Sequence, residues 1–551
     1  MIARNFSLLG KLMDIHGENP FKTKSYSSAA FTIDKLTKEL SDLSEDEIHR
    51  IPGVGDAIAK KIMVQLQTGV LPQLNDYLEK TPLGVVEMLN IKGLGAKKIA
   101  TIWKELGVEN LGELLYACNE NRLLHYKGFG EKTQQSITDS IEFYMRSKGN
   151  FLYAEIYQSA EALEKEIQAV FPEDITLVTG DIRQHREIIE KIELVTTVAT
   201  DELSGFLKNK GFAETEKGEE LTVYKNGNNI SLHVYYAGKN EVYKKLFITS
   251  SSEAFITEWQ KQYSFEDNYQ SEEEIFSKAG VDFIPSYLRE EANVIDLAKE
   301  KHLPKVVEVP DITAIIHSHS TWSDGVHTIA NMANAAKKQG LQYLVLSDHS
   351  KSAFYASGLS VERLIEQHKE IDELNKTLAP FTIFKSIESD ILNDGNLDYP
   401  DDVLATFDVV IASVHSNSKM SEEKAMKRLL TAIENPYTNI LGHMTGRLLL
   451  SRSGYPINHK MIIDACVTNN VVIELNANPH RLDIDWRYLR YALDKGVITS
   501  INPDAHSVNG FADIQYGVLV AQKAGVTKEQ NLSSFSLSQF EAFLAEQRKK
   551  R

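Results

Sequence analysis

Over residues 1–150, apolar positions recur at the spacing of amphipathic helices and short glycine-containing turns interrupt them, which predicts a helical region. Three turns are alike: Ile51-Pro52-Gly53-Val54-Gly55, Ile91-Lys92-Gly93-Leu94-Gly95 and Tyr126-Lys127-Gly128-Phe129-Gly130. Their first glycines follow one another at intervals of 40 and 35 residues, the mark of a repeated module. From 151 to 290 the pattern becomes mixed, with strands expected at Ile175–Thr179, Glu193–Ala199, Leu221–Tyr224 and Ile230–Tyr236 between helices. A connector is expected over 291–311. Beyond it short apolar strands alternate with helices, the pattern of a parallel sheet or barrel. The end, Gln547-Arg548-Lys549-Lys550-Arg551, predicts a helix with a solvated basic tail. The expected divisions are 1–85, 86–150, 151–290, the linker 291–311, and 312–551.

A chain of 551 residues needs several cores, and 42% hydrophobic with 25% charged residues is ordinary globular composition. No apolar run reaches the ~18 residues of a membrane helix. Met1 to Gly10 lacks the features of a secretory signal. Cys118 and Cys466 are the only cysteines, so disulfides and a thiolate zinc site are not expected, and a reducing cytoplasm fits. The net charge of −17 argues against a nucleic-acid partner only until it is divided along the chain. Residues 1–150 hold 19 basic and 19 acidic side chains, so the remaining 41 and 58 carry the whole excess.

The C-terminal strands add chemistry to the pattern. Ala314-Ile315-Ile316 runs into His317-Ser318-His319, and Tyr343–Leu346 into Ser347-Asp348-His349. Phe384–Ile387 leads to Glu388, Val409–Val414 to His415, Ile440–Gly442 to His443, and Val497–Asn502 to Asp504-Ala505-His506. In a parallel barrel such strand ends meet at one mouth, where active sites form. Asp324 follows the first strand closely enough to join them. His327 is its rival, ranked lower because it should start the helix through Ala330–Lys338. Any one of these histidines would ordinarily be a surface or core residue; six of 16 at strand ends, with acids beside them, is a constellation. Imidazole and carboxylate without thiolate suit Zn²⁺, Mn²⁺ or Fe²⁺, and nine ligands suit three ions. Clustered divalent ions neutralise phosphate and lower the pKa of a bound water, which is phosphoester hydrolysis.

These motifs, with Leu-Asp-Tyr-Pro and Gly-His443-Met-Thr-Gly-Arg447, closely resemble the polymerase-and-histidinol-phosphatase (PHP) domain of bacterial family-X DNA polymerases. The resemblance implies a distorted seven-stranded (β/α) barrel. It assigns His317, His319, Glu388 and Asp504 to one ion, and Glu388 (as a bridge), His415 and His443 to a second. Asp324, His349 and His506 would hold the third. Met444 stands where the family usually has proline. Arg447 and Arg481 are candidates to grip phosphate or, equally, to pair with nearby acids.

Gly-x-Gly turns before helices offer backbone N–H groups to a phosphate, and three copies resemble helix-hairpin-helix motifs that hold the DNA backbone without reading sequence. Gly53, Gly55, Gly93, Gly95, Gly128 and Gly130, with Lys61, Lys97 and Lys132, form that candidate DNA-binding set. Asn19-Pro20-Phe21-Lys22, Tyr26, Ala29 and Ala30 resemble the start of a family-X N-terminal domain. Lys61 stands where polymerase-beta-like members carry a Schiff-base lysine, though a phosphate contact is the expected role.

The resemblance continues through an α/β nucleotidyltransferase-like palm, but its acids are altered. Asp181 stands for the serine of a Gly-Ser turn, Lys191 and Glu193 for an Asp-x-Asp pair and Ser231 for a third aspartate; Thr249–Ser252 falls where a second Gly-Ser motif belongs. Two-metal transfer needs carboxylates at those places, so a palm without polymerase activity is expected. The leading reading is a monomeric DNA-binding hydrolase, a 3′-5′ exonuclease or 3′-end phosphatase in repair. The alternatives are a working family-X polymerase, a small-molecule phosphatase acting on a substrate such as histidinol phosphate, and a DNA-binding scaffold.

Overall fold

The computed structural model describes residues 2–551 apart from 120–122, 124–125, 148, 228, 267 and 451–452. Residues 1–148 and 149–551 form two compact units. In the first, the described regular elements are helices. Phe6, Leu9, Leu12 and Met13 of Ile2–His16 share a core with Tyr26, Ala29, Ala30 and Ile33 of Pro20–Asp34. Asn19 caps the second helix by accepting the Phe21 N–H at 2.9 Å, and Pro20 opens it without losing a needed donor.

Each repeated turn leads into a helix, Asp56–Thr68, Ala96–Lys104 or Glu131–Ser147. Gly53, Gly93 and Gly128 have φ of 82°, 86° and 95°, left-handed backbone that glycine adopts without steric cost. Between the paired glycines Val54, Leu94 and Phe129 are buried, so each turn is nailed to the core while its glycines face outward.

In the second unit, five strands order as Thr176–Thr179, Ile192–Thr196, Ser231–Tyr236, Leu221–Asn226 and Phe212–Lys217. The strand expected to reach Ala199 stops at Thr196, because Ala199 already caps the helix Thr200–Asn209. Phe247, Phe255, Trp259 and Phe276 build a neighbouring core, which Val294, Ile295 and Ala298 of the helix Val294–Lys299 join.

Seven parallel strands follow in chain order: Ala314–Ile315, Tyr343–Leu346, Thr382–Asp390, Val409–Ser413, Ile440–Leu441, Val472–Asn476 and Thr499–Asn502. The first and last meet beyond their ends, where Ser318 bridges Ala505 and nearly closes a barrel. Its floor is filled by the terminal helix Leu537–Arg548, whose Phe540 stacks on Tyr343 at 4.6 Å and meets Phe384 at 4.9 Å. The basic tail is docked only at its end: Lys550 donates to the Asn469 and Asn470 carbonyls and Arg551 lies over Tyr437, while Arg548, paired with Asp408, and Lys549 stay exposed. Burying Phe540 and Leu544 in the barrel draws the following residues onto its surface.

The sheet unit and the barrel share a polar junction. Glu187 accepts from the Trp486 indole at 2.9 Å and pairs with Arg487 at 2.6 Å, while buried Lys523 donates to Glu290 at 2.9 Å and to the Gln184 carbonyl at 3.1 Å.

Candidate metal centre

All nine side chains singled out at the strand ends converge. His319, Asp324, His349 and His506 offer ligand atoms within 4.8 Å of one another, as do His317, His319 and Asp504, and His349, Glu388 and His415. His443 joins through Nε2, 3.0 Å from Glu388 Oε1. Glu388 is the hub, within 3.3 Å of His317, 2.9 Å of His349 and 3.1 Å of His415. It lies inside the long third strand rather than after it, because Thr382–Asp390 continues past Ile387. Asp324 reaches His506 and His349 at 3.4 and 3.6 Å. His327, in contrast, precedes the helix Ile329–Lys338 and receives the Val508 N–H.

Electrostatics bind the cluster together. Burial lowers the pKa of His317, yet Glu474, Asp504 and Glu388 overcome it and hold the imidazole well above its ordinary value. Burial would raise Glu388, but His415, His317 and His349 hold it well below the carboxylate range. His319, buried against His506 and His349, is pushed down to about 3. His317 and Asp504 both have left-handed backbone, φ 67° and 51°, conformations that non-glycine residues keep only where the surroundings enforce them.

The residues fit divalent cations. Buried atoms His317 Nε2 and His319 Nδ1 have no hydrogen-bond partner, and buried polar atoms are rarely left so. A cation among imidazole and carboxylate donors would satisfy them. Asp324 and His506, 31% and 41% exposed, mark the side on which the otherwise buried cluster opens.

Sequence reasoning missed the residues that hold the candidate ligands. Glu474, on the overlooked sixth strand Val472–Asn476, accepts from His317 Nδ1 at 2.6 Å, from the His443 N–H at 3.0 Å, and from Asn502 at 2.8 Å. Asp390 does the same for His415 Nδ1. Such partners fix the orientation of a ligating imidazole. The available signal was one acid inside the apolar run Val471–Leu475. Of the two arginines, Arg447 pairs with Asp485 at 2.6 Å and donates to the carbonyls of Arg481 and Leu482. Arg481 lies 3.9 Å from Asp504.

In the sheet unit, the Glu193 carboxylate is occupied by Lys191 at 2.9 Å and the Tyr235 hydroxyl at 2.9 Å. It also crowds the Gly180 turn: a Cβ on Gly180 would stand 1.8 Å from Glu193 Oε2. Asp181 is raised by burial and by Glu193. The residue paired with Glu193 on the adjoining strand is His233, two places beyond Ser231. Ser231, His233 and Tyr235 share that face, and none is an acid. Buried Ser250 is engaged by Thr179 at 2.7 Å and Arg183 at 3.0 Å.

At the hairpins, Gly53, Gly55, Gly93, Gly95, Gly128 and Gly130 are exposed, as are Lys97 and Lys132. Lys61 is half-buried, its ammonium 5.9 Å from the Tyr26 ring.

The family pattern described as a helix-hairpin-helix domain matches residues 2–71, and that of a SAM-like helix-hairpin-helix tandem matches residues 85–142. The DNA polymerase/3′-5′ exonuclease PolX of Bacillus subtilis is 32% identical over 98% of this chain and 98% of its own. A probable phosphatase of Thermoanaerobacter sp. is 26% identical over 42% of this chain and 95% of its own. Another, of Caldanaerobacter subterraneus, is 25% identical over 42% and 91%.

Proposed function

The chain belongs to the family of the DNA polymerase/3′-5′ exonuclease PolX, and from that premise we propose that its working chemistry is 3′-5′ exonuclease or 3′-end-processing hydrolysis of DNA by the barrel, with nucleotide polymerisation lost. The observation that carries the reading is the convergence of nine imidazole and carboxylate side chains, Glu388 at their hub, with buried His317 Nε2 and His319 Nδ1 lacking a hydrogen-bond partner. His317, His319, Glu388 and Asp504 would hold one Mn²⁺, Zn²⁺ or Fe²⁺ ion, Glu388, His415 and His443 a second, and Asp324, His349 and His506 a third. Such ions supply positive charge for a phosphate ester and lower the pKa of a water. Arg481 is the arginine left to orient a phosphate oxygen, since Arg447 is spent on Asp485. The hairpin glycines, with Lys61, Lys97 and Lys132, would hold the DNA backbone without sequence preference. The protein would act as a cytoplasmic monomer in repair.

Loss of polymerisation is supported by the palm itself. Lys191 would repel a cation, Glu193 is already paired with it, and the facing strand offers no acid. The test is one preparation assayed for release of nucleotides or phosphate from a labelled 3′ end and for template-directed extension, each with Mn²⁺. Hydrolysis that disappears in His319→Ala, with no extension, is expected. Hydrolysis undiminished in His319→Ala would remove the barrel from the reaction, and extension by the wild type would restore the palm to it.

A further inference from the structure

The second barrel strand leaves at His349 and the chain returns at Leu359, whose N–H donates to the His349 carbonyl at 2.9 Å. The excursion between them starts at one of the nine side chains of the cluster, and several of its residues are tied down. The Ser352 N–H and hydroxyl donate to Asp398 and Asp390, each at 2.7 Å, and Asp390 also holds His415. Ala353 and Ala356 are buried. The Arg363 guanidinium donates to the Ser357 carbonyl at 2.6 Å and to that of Trp322, joining this loop to the one that carries Asp324. At the apex stands Phe354, 88% exposed, the most exposed of the large hydrophobic side chains described.

Single exposed hydrophobics are common and ordinarily mean nothing. Phe354 differs in its setting. Its amide donates to the Ser352 carbonyl at 3.0 Å, and the Ser352 hydroxyl in turn donates to Asp390, the partner of His415. Its loop is fastened to that of Asp324, on the side where the cluster opens. An aromatic ring without a polar handle, held stiffly beside a phosphoester site, can gain from a nucleic acid only by stacking on a base. We propose that Phe354 is the platform on which an unpaired nucleobase stacks while the strand end enters the metal cluster. This rests on the reading of the barrel as a DNA hydrolase and narrows its substrate to single-stranded or frayed 3′ ends. Because every base has a π-face, the contact tolerates any sequence.

The test uses the full-length, Mn²⁺-loaded protein and two labelled single-stranded oligonucleotides, one with ordinary bases and one abasic through its 3′-terminal segment. Phe354→Ala should raise KM on the first by roughly 5- to 100-fold, as loss of one base–aromatic stack does, with a smaller effect on kcat. Phe354→Trp should restore KM. On the abasic strand wild type and Phe354→Ala should match, and the unfolding temperatures of all three proteins should agree because the ring is exposed. An unchanged KM in Phe354→Ala, or an equal loss on both strands, overturns the platform while leaving the exonuclease in place. The first of those outcomes would return the ring to other uses, such as a protein partner. A wild type that degrades neither strand overturns the exonuclease reading itself.

Discussion

His317 shows how much of a candidate metal site lies behind the side chains that would ligate. Its Nε2 faces Glu388 and Asp504 while Nδ1 is fixed by Glu474 at 2.6 Å, so the ring's direction, and Nε2 as the nitrogen turned to the cluster, are set by the fold. Glu474→Gln keeps the size and removes the charge. We expect a 10- to 100-fold loss of hydrolysis, on the scale of such outer partners, together with lower metal content after dialysis and an unchanged circular dichroism spectrum. Full metal content with normal rates would reduce Glu474 to a packing residue. His317, His319 and Asp504 were legible in the sequence because each ends or closely follows an apolar run. Glu474 was not, since an acid within such a run reads as an interruption until the sheet turns it inward.

Among elements, the helical hairpins were the most legible, because a positive-φ glycine and a buried apolar neighbour are both local requirements. Their geometry predicts how they should bind. The Gly95 turn opens the helix Ala96–Lys104 with no side-chain cap, leaving its first N–H groups available to a phosphate, and Lys97 stands exposed beside it. Lys97→Ala should weaken binding to DNA duplexes of unrelated sequence by a similar factor. It should also lower the slope of log Kd against log salt by about one, the signature of one phosphate contact. Titrations by fluorescence anisotropy at several salt concentrations measure this, and a sequence-dependent effect would contradict backbone holding. The C-terminal helix was legible as a helix but not as the floor of the barrel. Its apolar face said that something was covered, while the identity of Tyr343 and Phe384 as its partners depended on closure of the sheet.

In the molecule as a whole, residues 149–551 form one compact unit, within which charged groups far apart in sequence meet. Buried Glu272 is held by Arg289 at 2.6 Å and by Arg183 at 2.5 Å. Burial would raise its carboxyl, but the two guanidinium groups prevail and keep it at about 2. The folded pKa thus lies below the ordinary value of about 4.3. The stabilisation is complete above that ordinary value and is lost as pH falls from there towards about 2. Glu272→Gln should cost about 3–5 kcal/mol at neutral pH, typical of breaking a buried pair, and its stability should depend less on pH across that window. Urea unfolding at stepped pH measures both, and equal midpoints for the two proteins at pH 7 would show that the pair contributes nothing.

The sequence by itself determined six of the seven barrel strands, the hairpin turns, the residues at the strand ends and the presence of Lys191, Glu193 and Ser231 where carboxylate pairs were sought. All of these follow from periodicity, glycine conformation and the chemical identity of single residues. Tertiary structure alone decided that the nine side chains share one cluster, that Glu474 and Asp390 hold His317, His443 and His415, that Arg447 belongs to Asp485, and that Lys550 and Arg551 are docked. Each is a meeting of residues brought together by sheet closure or helix packing, and no local spacing encodes which distant partner the fold will deliver.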